Sequence, residues 1–132
     1  KAVDLGFLDH RDREARLAVL FEGDAAALPF EDASFDTVVA TFVLCSVGDV
    51  RATLREARRV LRTGGTIRLL EHARARHRLI CAIQDRSAPR WARASGGCRL
   101  DHDVVGAVRA AGLTIVEERP RAGGLLVEIV AA

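Results

Sequence analysis

The sequence predicts an α/β domain with a mostly parallel sheet and helices on both faces, and three observations support this class. An almost wholly apolar, β-branched run from Asp36 to Leu44 is typical of a strand covered on both faces. A segment with helical periodicity follows from Val50 to Arg62 and ends before Gly64-Gly65. A further apolar run spans Thr66 to Leu70. Strand, helix and strand in this order require a crossover connection, which joins parallel strands.

Length and composition indicate one globular domain, residues 1–132, or a fragment of a longer domain. The chain has 49% hydrophobic and 29% charged residues, and its formal net charge is +2. Such a small net charge does not favour a nucleic-acid partner. The three cysteines (Cys45, Cys81 and Cys98) form no CxxC pair, which favours a reducing, cytoplasmic location. No apolar run has the length of a membrane span, and we expect no signal peptide.

Before the central run, the sequence predicts two short strands and a surface helix. Lys1 to Leu5 is expected to form a strand that ends in a turn, and Leu17 to Glu22 to form a second strand. The charged segment from Asp9 to Leu17 is typical of a short, solvent-facing helix. Leu28 to Ser34 is predicted to be a loop.

Local signals mark the ends of the later elements. Asp49 is placed to cap the helix that begins at Val50, and Asp101 to cap a helix that runs to Ala111 before Gly112. Two apolar runs then flank Pro120 and Gly123-Gly124, which predicts an antiparallel hairpin at the sheet edge. The runs are Leu113 to Arg119 and Leu125 to Ala131.

An arginine-rich segment from Ala73 to Arg93 has three interpretations. It can be a mobile lid over a site, a basic amphipathic patch that contacts an anionic membrane through Arg74 to Arg93, or a solvated face. Pro89 lies inside this segment and is expected to break any helix there.

Several motifs together resemble the class I S-adenosylmethionine (SAM)-dependent methyltransferases, which have a Rossmann-like fold. The motifs, in order, are Gly23-Asp24-Ala25 with Leu28-Pro29-Phe30, Ser34 to Val39, and Arg59 to Gly65. Three further pieces are similar to the methyltransferase-like branch that includes thiol methyltransferases: Val43 to Val47, Glu71-His72 and Gly96-Gly97-Cys98. The resemblance covers roughly residues 20 to 119.

The resemblance implies a set of cofactor-binding residues. Asp4, at the end of an early strand, would accept hydrogen bonds from the ribose hydroxyls, although a cap or turn role explains it equally well. Asp24 would accept from the adenine amino group, with the backbone amide of Ala25 near the ring, and a plain turn aspartate is the alternative. Ala40 and Thr41 would leave room for the cofactor's amino-acid end, with core packing as the alternative.

Three further residues are candidates on the substrate side, because ligands bind at the carboxyl ends of parallel strands. Cys45 and Cys98 are expected to line a substrate pocket, and a buried or loop thiol is the alternative for each. His72 is expected to act as a catalytic base, or else as a cap or ion-pair partner. No metal site is predicted, because Cys45, His72, Cys98 and His102 lack ligand spacing on any one element.

The family's glycine-rich loop, of the form GxGxG, is not found, which predicts a domain truncated at its amino-terminal βα unit. Lys1 to Asp4 is then either the family's second strand or a remnant of its first. The family's first strand lies in the middle of the sheet, between its second and fourth strands. We expect its loss to leave strand edges unpaired or to force a new pairing, with a homodimer as one possible repair.

The resemblance implies methyl transfer from SAM to a small-molecule nucleophile, with S-adenosylhomocysteine as product. The acceptor can be a thiol, an amine, a hydroxyl, or a quinone or lipid carbon. Two alternatives are a non-catalytic Rossmann-like binding module that has lost its cofactor site, and a redox or metal module that uses Cys45 and Cys98.

Overall fold

The apolar runs of the sequence become the strands of a sheet in the computed structural model, which describes residues 2–3, 21–75 and 77–132. The strands and helices follow one another along the chain with a 3-10 turn at Ala122–Gly124. They are β1 (Ala2–Val3), β2 (Phe21–Glu22), β3 (Phe35–Thr41), α1 (Val50–Val60), β4 (Leu61–His72), α2 (Arg78–Ala94), α3 (Val104–Ala110), β5 (Ile115–Arg121) and β6 (Leu126–Ala131).

The main sheet has four strands in the order β3-β4-β6-β5. β3 and β4 are parallel, and β6 is antiparallel to both of its neighbours, so three of the four strands point the same way. The predicted α/β class, with a mostly parallel sheet and a carboxyl-terminal hairpin, is therefore confirmed. The last strand is inserted between β4 and β5, which leaves β5 at the edge.

The first two strands lie apart from this sheet. β1 pairs with β2 in a separate, antiparallel, two-stranded sheet, which departs from the parallel arrangement implied by the resemblance. Among the described residues, β3 has β4 as its single neighbour. The split falls where the family's first strand would join the two halves, in agreement with the predicted truncation. Asp4 and the helix predicted from Asp9 to Leu17 lie outside the described residues.

One face of the main sheet forms the hydrophobic core. Because side chains alternate along a strand, Ile67, Leu69 and Glu71 of β4 point to the same side and are buried. β6 adds Val127, Ile129 and Ala131 to this side, and α1 and α3 cover it with Leu54, Ala57, Val104 and Val108.

The opposite face is more open in the part of the chain that the structure describes. Arg68 is exposed, and Leu70, Glu128 and Val130 are half-buried. Val39 of β3 points to this face and is also half-buried. In the described residues β3 pairs on one side only and packs Val38 and Ala40 against the core, so cover on both faces of the run from Asp36 to Leu44 stays a prediction.

Helix ends agree with the sequence at α1 and differ at α3. Asp49 caps α1, and its Oδ1 accepts from the Ala52 N–H at 2.9 Å. α1 ends at Val60 and not at Arg62, because Leu61 already pairs with Phe35 of β3. The cap of α3 is Asp103, whose Oδ1 accepts from the Gly106 N–H at 2.9 Å. Asp101 binds the Arg99 guanidinium instead, so its predicted cap role is wrong.

The helix α2 continues through Pro89, contrary to the prediction. Proline removes one backbone hydrogen bond, and tertiary contacts in the preceding turns hold the helix in place. The buried Gln84 side chain accepts from the Ala75 N–H at 2.8 Å and donates to the carbonyls of Ala73 and Leu100 at 3.0 and 3.2 Å. None of the described helices combines the length and the apolar character needed to cross a membrane.

Candidate active site

A buried carboxylate shapes the loop that follows β3. Glu71, near the carboxyl end of β4, is fully buried and accepts from the backbone N–H groups of Val43 and Leu44 at 2.8 and 2.9 Å. A third N–H, that of Cys45, lies 3.3 Å from its other oxygen. Burial raises the pKa of Glu71, and the three N–H groups oppose that rise. Glu71 therefore fixes the backbone that presents Cys45.

The turn into this loop is made at Phe42, which has a φ of 53°. This left-handed conformation is uncommon for a residue with a large side chain. The Phe42 N–H donates to the Leu70 carbonyl at 2.9 Å, which extends the β3–β4 pairing by one bond. The Phe42 ring then packs against His72, with 4.8 Å between the ring centroids.

Cys45, His72 and Cys98 come together at the carboxyl end of β3 and β4. The Cys98 Sγ lies 3.2 Å from the Cys45 Sγ and 3.4 Å from the His72 Nδ1. Both cysteines are buried and His72 is half-buried. The three side chains come from the loop after β3, the end of β4 and the loop after α2, so the tertiary fold alone brings them together.

The loop that carries Cys98 is shaped by two glycines and one backbone hydrogen bond. Gly96 and Gly97 have φ angles of 71° and 106°, which a side chain would disfavour. The Arg99 N–H donates to the Cys45 carbonyl at 2.6 Å. This bond joins the two cysteine loops directly.

Burial determines the protonation states in this cluster. It raises the pKa of the Cys45 thiol to about 12, and contacts with Cys98 and Glu71 act in the same direction, against a hydrogen bond from Ser46. Burial lowers the pKa of His72. At neutral pH the cluster therefore holds a neutral thiol at Cys45 and a neutral imidazole that can accept a proton.

The predicted adenine-binding loop follows β2. The Asp24 side chain is exposed, and its Oδ1 accepts from the Ala26 N–H at 2.9 Å. The Asp24 carbonyl accepts from the Ala27 N–H at 3.0 Å, which closes a turn, and Ala25 is buried. These contacts agree with the turn alternative and leave the carboxylate accessible to a ligand.

Arg59 of α1 holds the next part of this loop. Its guanidinium donates to both carboxylate oxygens of Glu56 at 2.8 Å and to Asp32 at 2.7 Å. It also donates to the carbonyls of Leu28 and Phe30 at 3.1 and 2.8 Å. Glu56 in turn accepts from the Leu28 N–H at 2.9 Å. Two motifs of the resemblance, the Leu28-Pro29-Phe30 loop and the end of α1, are therefore joined by one side-chain network.

The structure thus brings together the three predicted substrate-side residues, Cys45, His72 and Cys98. Ala40 packs against the core and Thr41 is exposed at the end of β3. Asp24 and Ala25 lie on their own loop, and their cofactor roles stay predictions, as does that of Asp4.

Sequence reasoning missed three residues that shape the site: Phe42, Arg59 and Glu71. A signal was present for Arg59, which follows Glu56 at the i,i+3 spacing of a helical ion pair.

Comparison with known proteins gives one family and many relatives. A family described as "Methyltransferase domain" matches residues 4–69, half of the chain. A demethylmenaquinone methyltransferase of Roseiflexus sp. (strain RS-1) is 46% identical over 85 residues, which is 61% of this chain and 36% of that protein. A ubiquinone/menaquinone biosynthesis C-methyltransferase of Caulobacter vibrioides is 50% identical over 52 residues, 39% of this chain and 21% of that protein. The chain therefore spans about a third of these relatives' length or less.

Solved structures share the fold. A SAM-dependent methyltransferase of Thermotoga maritima, described as a possible histamine N-methyltransferase, has a TM-score of 0.61 at 19% identity. The match covers 84% of this chain and 62% of that one. A methyltransferase structure from Bacillus halodurans has a TM-score of 0.63 at 22% identity, and the match covers 74% of this chain and 46% of that one. At these identities the likeness shows the Rossmann-like fold.

Proposed function

The chain belongs to the methyltransferase domain family, and we propose that it transfers a methyl group from SAM to a small-molecule nucleophile. The observation that supports this most directly is the meeting of Cys45, His72 and Cys98 at the carboxyl end of two parallel strands. Ligands of open α/β sheets bind at this edge, so the cluster lies where the acceptor would be held. The two quinone methyltransferases described above favour an acceptor of the quinone class among those left open by the sequence.

The residues present suit the cofactor at its adenine end. The exposed Asp24 carboxylate can accept from an amino group, and the small, buried Ala25 lets a flat ring approach the backbone. Asp4 would hold the ribose, and Ala40 and Thr41 would border the amino-acid end. SAM supplies an activated methyl group on a sulfonium, with S-adenosylhomocysteine as the product.

The chain's own residues would then do little covalent chemistry. Methyl transfer is an in-line displacement, so the protein mainly orients the acceptor and excludes water. The neutral imidazole of His72 would accept the proton of an acceptor that arrives protonated. Cys45 and Cys98 would line the wall beside the acceptor.

A second candidate is a binding module that does not catalyse. It is favoured by the missing glycine-rich motif and by the split between the two sheets. Cofactor affinity separates the two candidates, because a module that has lost its site binds no S-adenosylhomocysteine.

Calorimetric titration with S-adenosylhomocysteine tests the proposal. We expect the chain to bind, and Asp24→Asn to bind about tenfold to a hundredfold more weakly, since a hydrogen bond to a charged group contributes about 1.5–3 kcal/mol. Asparagine keeps the oxygen that accepts from the Ala26 N–H, so the turn should survive. Asp36→Asn, on the exposed Asp36, is the matched control and should bind like the parent. If the chain has the circular dichroism spectrum of a folded protein and binds no S-adenosylhomocysteine, the methyltransferase proposal is refuted for this chain.

We also propose that α2 contacts an anionic membrane surface. Leu79, Ile83 and Trp91 are 66%, 60% and 46% exposed. Exposed arginines share the helix: Arg78, Arg86, Arg90 and Arg93. Apolar side chains beside basic ones are typical of helices that lie in the headgroup region. Such a contact would suit a lipid-soluble acceptor. We propose as well that the protein is cytoplasmic and that it forms a homodimer.

A further inference from the structure

The cluster of Cys45, His72 and Cys98 has the composition of a metal site. Two sulfur atoms and one imidazole nitrogen all lie within 4.8 Å of one another. Thiolate and imidazole are the ligands that Zn²⁺ prefers in proteins. No metal site is predicted from the sequence, because no single helix or strand carries the spacing of metal ligands. In the tertiary structure the three ligands come from three separate segments, so spacing on one element is not needed.

The spacing of the three atoms suits a tetrahedral ion. With metal–sulfur and metal–nitrogen bonds of about 2.3 and 2.0 Å, tetrahedral ligand atoms stand about 3.5 to 3.8 Å apart. The Cys98 Sγ lies 3.2 Å from the Cys45 Sγ and 3.4 Å from the His72 Nδ1. Both separations are within about 0.6 Å of the tetrahedral values, and the third pair of ligand atoms lies within 4.8 Å.

The backbone around the cluster is already held in place. Glu71 binds the N–H groups of Val43 and Leu44 immediately before Cys45, and the Arg99 N–H binds the Cys45 carbonyl. Both thiols are buried, whereas His72 is half-buried and gives the cluster one side that faces outward. A site with three protein ligands and one open position is the arrangement found in catalytic zinc sites, and structural sites use four protein ligands.

We propose that Cys45, His72 and Cys98 bind a zinc-class divalent cation through two thiolates and the imidazole Nδ1, with a fourth position open to water or to a ligand atom. On binding, the two metal–sulfur bonds replace the two S–H bonds, and two protons pass to solvent. No electron is transferred. The site does not depend on methyl transfer, so it can exist whether or not the chain binds S-adenosylhomocysteine. With the metal bound, His72 is a ligand and does not serve as the proton acceptor proposed above.

Titration of the reduced chain with Co²⁺, a spectroscopic stand-in for Zn²⁺, tests the site. We expect one equivalent to produce a thiolate-to-cobalt charge-transfer band and the intense visible bands of a tetrahedral ion, and Zn²⁺ to bleach both. Cys98→Ser should weaken binding at least about a hundredfold, since loss of an outer-shell partner alone costs up to that factor. Cys81→Ser is the matched control, because the partly buried Cys81 thiol donates to the Ala75 carbonyl outside the cluster.

A measurement on the unaltered chain guards against a variant that fails to fold. Zinc addition in a weakly buffered solution should release about two protons per ion, counted with a pH indicator. Absence of the cobalt bands, or bands that Cys81→Ser and Cys98→Ser reduce equally, would overturn the assignment. Zinc binding without proton release would overturn it as well.

Discussion

At the residue scale, an ion pair within α1 binds the backbone of the loop after β2. Arg59 holds Glu56 in a two-point contact and reaches two carbonyls of the loop. The Arg59 hydrogen bonds lower the pKa of Glu56, and burial opposes this effect. The network stabilises the segment beside the proposed adenine site, Asp24 and Ala25.

The Glu56 network should make stability depend on pH. Because the folded-state pKa of Glu56 is below its unfolded value of about 4.3, its contribution is complete above that pH and is lost as the pH falls through the folded pKa. Glu56→Gln should lower the free energy of unfolding by about 1 kcal/mol at pH 7, and the difference should shrink at lower pH. Urea unfolding from pH 7 to pH 3 measures this, with Glu31→Gln as an exposed control. A difference of the same size at every pH from 7 to 3 would contradict the ion-pair account.

At the element scale, α2 has two faces with different roles. Its buried Gln84 holds the helix to the backbone of the loops before and after it, while Leu79, Ile83 and Trp91 point outward. The fixed face explains why the helix survives Pro89. The outward face is the surface proposed to contact a membrane.

Vesicle binding tests that surface. The chain should sediment with vesicles containing phosphatidylserine and much less with neutral ones, and added salt should weaken the association. The double variant Leu79→Ser and Ile83→Ser should bind at least about tenfold more weakly, since burial of each apolar side chain would contribute about 1.5–3 kcal/mol to binding. Leu125→Ser, at an exposed leucine after the 3-10 turn, is the control. Equal binding by the double variant and the parent would exclude α2 as the contact.

At the scale of the whole molecule, the described residues pack one face of the main sheet closely and leave its other face more open. Ile129 is fully buried beneath α1 and α3, whereas Val130, the next residue, points to the other side and is half-buried. The described helices in the hydrophobic core, α1 and α3, therefore stabilise the sheet from one side.

Substitution of the two neighbours should show this asymmetry. Ile129→Ala should cost about 2–5 kcal/mol of unfolding free energy, because it leaves a cavity in the core. Val130→Ala should cost about 1 kcal/mol or less, because its site is near the surface. Urea unfolding of both variants at one pH gives the comparison. Similar losses would show that the face of Val130 is as closely packed as that of Ile129.

The order of the central elements and the direction in which their strands pair could be predicted from local sequence signals. The β-branched run before α1, the Asp49 cap and the hairpin glycines are local signals, and each acts within a few residues of where it is read. For the same reason, the motifs from Gly23 to Gly65 were enough to indicate the family.

The continuation of α2 and the assembly of the cysteine–histidine cluster depend on tertiary contacts, which the sequence pattern does not show. α2 passes Pro89 because Gln84 anchors it to backbone carbonyls in the loops before and after the helix. Cys45, His72 and Cys98 meet because Glu71 and Arg99 fold two loops over the end of β4. The contacts that form this cluster join residues tens of positions apart, and no local pattern of hydrophobicity or turn residues encodes their distance.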